Sequence, residues 1–362
     1  MNTDAAPAWL PSYLVPFFTL SYPTARPANP DSFPNSNYYV TGLLDGCIII
    51  TAIAVMAVLR DATRLFVMEP FARWKLARDL RLSKQKAAAL ANGKANGNGH
   101  ANGNGHAAYA NGSAISRKEA KKMHRSVIRF AEQGWSVVYY TAQWSFGLYV
   151  HRNFPTKVLN PINVWPGYPH IPLAGTVKFY YLLQTAFYMH QVLIINAEAR
   201  RKDHWQMMTH HVITIFLMIG SYFYNFTRIG CLIMVLMDWC DIFLPLAKMI
   251  RYLGHTTACD VAFVVFLVSW FVTRHVLFIL AIKATWDALY ITPSIWDPSR
   301  GQYMTKEIFM TFIAMLVALQ IIQLIWFWMV CRVAYRVVTG QGAEDTRSDA
   351  EDDDSDDAKK DD

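Results

Sequence analysis

Apolar runs of about twenty residues alternate with short charged stretches along this chain, the pattern of membrane-spanning helices rather than of a soluble domain. Seven such runs stand out: Val40–Leu59, Phe130–Val150, Thr176–Ala197, Met207–Tyr224, Ile229–Ile250, Val261–Ile282 and Ile308–Val333. Most are close to the length that crosses about 30 Å of hydrocarbon. Glu132, Gln133 and Gln143 interrupt the second. The expected fold is therefore all-α, a polytopic membrane protein of about seven transmembrane helices. The expected organisation is an N-terminal segment over 1–39, a first helix over 40–59, a basic linker over 60–125, a six-helix domain over 126–336 and an acidic tail over 337–362.

Composition supports this picture. The chain is 53% hydrophobic, 14% aromatic and only 17% charged, against about 25% charged in soluble domains. Mean hydropathy is +0.15. Five scattered cysteines, without a C-x-x-C pair, read as reduced packing thiols. Residues Met1 to Tyr39 lack the basic-then-apolar pattern of a cleaved leader, so the first apolar helix is expected to serve as the targeting signal.

Charge sets the expected topology. The net charge is +7, but Glu344 to Asp362 hold eleven acids against three bases, a net −8, so the remainder carries +15. Those bases flank apolar runs, which positive-inside orientation explains better than nucleic-acid binding; no nucleic-acid partner is expected. Only Arg26 precedes the first span, whereas Arg60 to Arg129 is rich in bases. The N-terminus is thus expected in the lumen and Arg60–Arg129 in the cytosol. Alternation puts Arg200-Arg201-Lys202 and Lys248–Arg251 in the cytosol, Asn225–Arg228 and the Lys283–Glu307 loop in the lumen, and the C-terminus in the cytosol. All strongly basic loops then share one side. Lys359-Lys360 sits where a cytosolic tail carries a dilysine retrieval address for the endoplasmic reticulum, a receptor-read signal and not an anchor.

Two stretches are expected to stay unfolded. Ala87–Ser113 is an Ala/Asn/Gly/His linker whose His100 and His106 have no rigid frame for a metal, and the acidic tail carries Ser348 and Ser355 in acid-rich contexts suited to a kinase. Of the two glycosylation sequons, Asn111-Gly-Ser falls on the cytosolic side and Asn225-Phe-Thr in a tight turn, so neither is expected to be modified.

Ionisable residues inside spans are costly and mark function. The fourth span carries His210 and His211 near its cytosolic end; the fifth carries Asp238 and Asp241, three apart and so on one face. A short turn joins these spans, making them antiparallel neighbours that hold the two pairs at similar depth. One reading is a His–Asp network gluing two helices; the other is a general base, the carboxylate orienting the imidazole. Arg274 and His275, inside the sixth span, are further buried groups that either partner other side chains or line a tunnel. No metal is expected: the eleven histidines offer neither H-x-x-x-H nor H-x-x-H-H, and adjacent histidines diverge by about 100° on a helix.

The run Arg200-Arg-Lys-Asp-His-Trp-Gln-Met-Met-Thr-His210-His211-Val-Ile-Thr214, followed by Ser221-Tyr222, Asn225, Arg228, Gly230, Asp238, Asp241 and Ala247-Lys248, resembles the Lag1 motif of ceramide synthases in the TRAM-Lag1-CLN8 (TLC) family, and the wider likeness runs from about Ser126 to Arg336. Without a homeobox-like segment in Arg60–Arg129, the chain is similar to the fungal Lag1/Lac1 form. Met237 stands where animal members often have histidine, which leaves the acidic pair intact. The resemblance implies a TLC helical bundle enclosing an acyl tunnel, and amide formation between a fatty acyl-CoA and a sphingoid base. It implies His210, His211, Asp238 and Asp241 as the catalytic centre. Arg200, Arg201, Lys202, Asp203, Asn225, Arg228 and Arg274 are expected to bind substrate or support the site, the cytosolic bases facing CoA phosphates or merely setting topology. An imidazole either deprotonates the attacking amine or first takes the acyl group itself. No cofactor is implied. The partners implied are acyl-CoA, sphingoid base, membrane lipid, a second copy of the chain and a small single-pass accessory subunit. The Lys283–Glu307 loop matches in position the family region tied to chain-length choice. The competing readings are a non-catalytic TLC protein that binds or moves lipid, which has no need of both pairs, and an elongase, which needs H-x-x-H-H.

Overall fold

The computed structural model describes residues 2, 4, 6–30, 32–95, 115–197 and 203–339. Arg200, Arg201, Lys202, His100, His106, Asn111, Ser348, Ser355 and the Lys359-Lys360 pair lie outside the described residues. Helices dominate: α1 (Val15–Phe18), α2 (Asp45–Ala62), α3 (Glu69–Ala95), α4 (Arg117–Arg152), α5 (Gly175–Ala197), α6 (His204–Phe223), α7 (Thr227–Tyr252), α8 (Thr256–Trp270), α9 (Phe278–Ile291) and α10 (Lys306–Val338). π-helical turns over Thr63–Met68 and Phe271–Leu277 join α2 to α3 and α8 to α9. A helix thus occupies each of the seven runs marked above. Four helical stretches are long and apolar enough to cross a membrane among the described residues: Asp45–Leu90, Thr227–Tyr252, Thr256–Ile291 and Lys306–Val338.

Two boundaries differ from the sequence reading. Helix α3 runs to Ala95, into the expected linker and past its first Asn-Gly pair, Asn92-Gly93; Ala87–Leu90 are strong helix formers. Helix α9 continues to Ile291, where the loop was expected from Lys283; Lys283 and Asp287 pair one turn apart at 2.5 Å on its surface.

The chain divides into two compact units. The second comprises Val58–Tyr140 and Asp241–Val265. Its core is Ala72, Val127 and Phe130, packed by Met68, Leu76, Met249, Tyr252 and Leu253. Here α4 opens with a capping box: Ser116 N–H donates to Glu119 Oε2 at 2.8 Å and Glu119 N–H to Ser116 Oγ at 3.2 Å. Lys84 of α3 also reaches Glu119, at 2.7 Å.

The first unit comprises Met1–Ala57, Thr141–Cys240 and Phe266–Asp362. Helix α6 packs on α5 and α10, and α10 packs on α9. At one end β1 (Pro23–Thr24), β2 (Tyr38–Tyr39) and β3 (Leu173–Ala174) form an antiparallel sheet, and β4 (Trp296–Asp297) pairs with β5 (Gln302–Tyr303). Beneath them lies a core of Trp165, Phe226, Leu232, Leu236, Ala281, Phe309 and Phe312, aromatic rings meeting edge to face or tilted. Met237, Phe278, Leu316 and Leu319 extend the core along the bundle.

The turn from α6 to α7 explains a motif residue. Asn225 adopts φ 61°, and Phe226 N–H returns to Ser221 O at 2.7 Å, a Schellman closure whose left-handed position asparagine tolerates. Its side chain is buried and donates through Nδ2 to Gly301 O at 2.9 Å. The sequon asparagine is therefore engaged in packing. Tyr168 bridges the same region, its hydroxyl donating to Tyr224 O at 2.8 Å and accepting from Tyr303 N–H at 3.1 Å.

Candidate functional site

Helices of the first unit line a partly open cavity with about 830 Å³ of empty space, the open space at its mouth included. Its walls follow helical spacing: His210, Thr214, Leu217, Met218 and Ser221 from α6; Ile229, Gly230, Ile233, Met234 and Met237 from α7; Phe309, Phe312, Leu316, Leu319 and Gln323 from α10. Tyr181 and Tyr188 of α5, Arg274, Phe278 and Thr285, and the loop residues Trp165 and Phe226 complete it. From Phe309 to Gln323 is fourteen residues, about 21 Å at 1.5 Å per residue. That exceeds the roughly 15 Å that is half the thickness of bilayer hydrocarbon. The lining is mostly apolar, with hydroxyls from Thr214, Ser221, Thr285, Tyr181 and Tyr188 among it and His210, Arg274 and Gln323 toward one end.

His210 and His211 diverge as adjacent helical residues must, their rings 5.4 Å apart and nearly perpendicular at 83°. His210 faces the cavity against Trp326, at 5.2 Å. Its Nδ1 is buried with no hydrogen-bond partner among the described residues. His211 is buried beside Tyr188, at 5.8 Å. Its Nδ1 lies 2.8 Å from Met207 O. A carbonyl only accepts, so Nδ1 carries the proton and Nε2 keeps the basic lone pair. A backbone carbonyl of its own helix, one turn back, therefore fixes this tautomer, where the sequence suggested a carboxylate.

Asp238 is fully buried on α7 and accepts a hydrogen bond from Gln184 Nε2. Gln184 lies one turn from Tyr188 on α5, so the carboxylate and His211 share a helix as neighbour. Asp241 follows one turn beyond Asp238 and belongs to the second unit. Arg274 is buried in the π-helical turn, a feature common at functional sites. Its Nε donates to Cys240 Sγ at 2.8 Å and an Nη to Met237 O at 3.0 Å, with the guanidinium 4.4 Å from the Trp270 ring. His275 Nδ1 meets Gln320 at 2.8 Å, and its ring packs on Phe327 at 4.8 Å. Gln323 reaches Met237 Sδ at 3.5 Å. Among the described residues, no three His, Cys, Asp or Glu side chains gather as a metal site.

Other expected residues fall elsewhere. Asp203 is buried just ahead of α6. Asn225 lies in the α6–α7 turn and Arg228 in the first turn of α7. Arg228 lies ten residues, about 15 Å along α7, from Asp238, its guanidinium 5.7 Å from the Phe154 ring. The turn needs a left-handed residue and a loop anchor, which accounts for Asn225 without chemistry. Sequence reading passed over Gln184, Tyr188, Gln323 and Trp326. Gln184 could have been found, being a polar residue inside an apolar run like the aspartates.

A second buried polar cluster was also missed. Lys178 and Asp45, 0% and 2% exposed, pair at 2.8 Å. Lys178 also donates to Ser21 O and Val40 O, both at 2.8 Å, and lies 5.5 Å from the Tyr22 and Tyr39 rings. Asp45 accepts from Tyr222 Oη at 2.7 Å and Gly42 N–H at 3.0 Å.

The chain matches the TLC domain family over residues 129–332, more than half its length, and it belongs to that family. Among curated relatives it is similar to "Ceramide Synthase FUM18" of Gibberella moniliformis, 31% identical over 353 residues, covering 89% of this chain and 71% of that one. It is 40% identical over 230 residues to "Sphingosine N-acyltransferase lag1" of Schizosaccharomyces pombe, covering 63% of this chain and 59% of that one. It is 34% identical over 249 residues to "Ceramide synthase LOH2" of Arabidopsis thaliana, covering 68% of this chain and 82% of that one.

Proposed function

We propose that this protein is a ceramide synthase, an acyltransferase that N-acylates a sphingoid long-chain base with a fatty acyl-CoA to give (dihydro/phyto)ceramide and CoA. The observation that carries the reading is the apolar cavity, about 21 Å long, with His210 in its wall at the polar end. The names of its relatives point the same way.

The chemistry follows from the residues. A sphingoid amine is an ammonium at neutral pH and must lose a proton before it attacks a thioester. His211, with its proton fixed on Nδ1, offers Nε2 as the base. His210, in the cavity wall, meets the thioester. In direct transfer the nitrogen bonds to the acyl carbon, the C–S bond breaks and the thiolate of CoA takes up the proton. In the covalent scheme His210 attacks the thioester carbonyl and the C–S bond breaks to release CoA; the amine then attacks the acyl-imidazole, its acyl C–N bond breaks, and the freed imidazole takes the proton that the nitrogen sheds. Asp238, held by Gln184, supplies negative charge that favours the imidazolium. Arg274 supports the polar end. No metal or cofactor takes part.

We further propose seven spans with the N-terminus luminal, residence in the endoplasmic reticulum through Lys359-Lys360, and a homodimer with a small single-pass accessory subunit. The contacts of the first unit support the topology. Segments expected in the lumen meet one another: β2 with β3, Tyr168 with Tyr224 and Tyr303, and Asn225 with Gly301.

Purified protein given acyl-CoA and dihydrosphingosine or phytosphingosine should form the N-acyl product, detected by mass spectrometry. No amide from any pairing, with the protein folded, would leave lipid binding alone. Intact-mass measurement after acyl-CoA alone separates the schemes: a histidine adduct supports the covalent one, and its absence under trapping conditions supports direct transfer.

A further inference from the structure

Toward the end of the cavity away from His210, where Trp165, Phe226 and Phe309 also line it, stands a tyrosine that is fixed from several sides. Tyr181 is fully buried and hydrogen-bonded to Ser221 Oγ, and both line the cavity. Ser221 donates its own proton to Met218 O at 3.1 Å, so Tyr181 is the donor within the pair. The ring rests on Gly230. A Cβ at that position would lie 2.2 Å from Tyr181 Oη and 2.9 Å from Cζ, closer than any real side chain tolerates. Glycine is thus required by approach and not by backbone conformation.

The ring is also backed. Tyr222 stacks on it at 5.7 Å and 27°, and the Tyr222 hydroxyl is tied to Asp45, which Lys178 holds. Tyr181 therefore has no easy retreat from the cavity. Phe312 comes from the facing wall, and a Cβ on Gly220 would meet it at 3.0 Å. Along α6, Ser221 lies eleven residues from His210, about 16 Å.

We infer that Tyr181, seated on Gly230 and clasped by Ser221, sets the length of acyl chain that the cavity accepts. The inference rests on the acyltransferase reading above. A chain anchored at His210 runs down the apolar walls until its terminal methylenes reach this ring. Close-packed walls yield little, and one methylene too many in such a pocket costs tenfold or more in kcat/KM.

Two substitutions push in opposite directions. Tyr181→Leu shortens the wall and should raise kcat/KM for longer acyl-CoAs relative to shorter ones by about tenfold. Gly230→Ala drives the ring away from α7; Tyr222 blocks the way behind, so the ring moves into the cavity and the preference shifts to shorter chains. Adding Tyr181→Phe to Gly230→Ala removes the closest clash and should restore part of the original profile. The assay is a series of acyl-CoAs of increasing length on detergent-purified protein, each variant checked for a monodisperse elution profile. If Gly230→Ala does not accumulate, Tyr181→Leu decides by the same criterion. An unchanged length profile in active, folded variants overturns the inference alone. If the unsubstituted protein forms no amide at any chain length, the acyltransferase reading itself has failed.

Discussion

The first unit holds two buried polar clusters, and they are built on opposite principles. Around Lys178 and Asp45, the charges, two backbone carbonyls, a backbone N–H, a tyrosine hydroxyl and two aromatic faces answer one another. At the other end, His210 presents to the cavity a buried Nδ1 without a hydrogen-bond partner among the described residues, beside Arg274 and Gln323. A closed network holds helices together, because each buried charge finds its counterpart. A polar group facing a cavity is available to a substrate. The cost of burying polar atoms is offset by protein in one cluster and left open toward the cavity in the other.

The contrast can be broken by substitution, and the largest expected effect is at the cavity. His210→Ala and His211→Ala should each lower N-acyltransfer by at least about a hundredfold, while thermal unfolding of the solubilised protein stays near that of the unsubstituted chain. Near-normal turnover in both would remove the histidines from the mechanism. Lys178→Met should do the reverse. Leaving Asp45 buried without its cation costs about 3–5 kcal/mol, so the unfolding temperature drops while each folded molecule stays active. Adding Asp45→Leu should recover part of the loss; an unfolding temperature unmoved by Lys178→Met would show the pair to be dispensable.

Gln184→Leu tests whether Asp238 belongs to the reactive cluster. Loss of a hydrogen bond to a charged group, about 1.5–3 kcal/mol, should appear as a tenfold to hundredfold lower kcat with KM little changed. If stability falls and kcat does not, Asp238 belongs with the structural cluster. The smallest effect concerns the loop between α4 and α5. His170 donates through Nε2 to Val164 O at 2.9 Å, and burial holds its pKa below the usual histidine value. The unfolded chain takes up the proton first. This contribution is therefore complete above about pH 6.5 and is lost as pH falls below that value. His170→Gln should flatten the pH dependence of unfolding there; an identical slope in the variant would dismiss the histidine.

Much of the site could be read from the sequence. The seven apolar runs are helices. His210, His211, Asp238 and Arg274 stood out because ionisable groups inside apolar runs are rare and costly. The same reasoning covers Gln184, Lys178 and Asp45, which passed unnoticed because each looks tolerable alone: near a helix end, in a first turn, or uncharged. Only the fold brings Lys178 onto Asp45, 133 positions away in the chain.

Sequence alone therefore determined the helical segments and the residues whose burial demands an explanation, since periodicity and transfer cost are local properties. Tertiary structure decided which histidine faces the cavity, which atom of His211 carries its proton, and that Asn225 serves a turn. It also decided the seating of Tyr181 on Gly230 in the cavity wall. Those outcomes depend on side chains from different helices meeting within a few ångströms, and no local pattern encodes such a meeting.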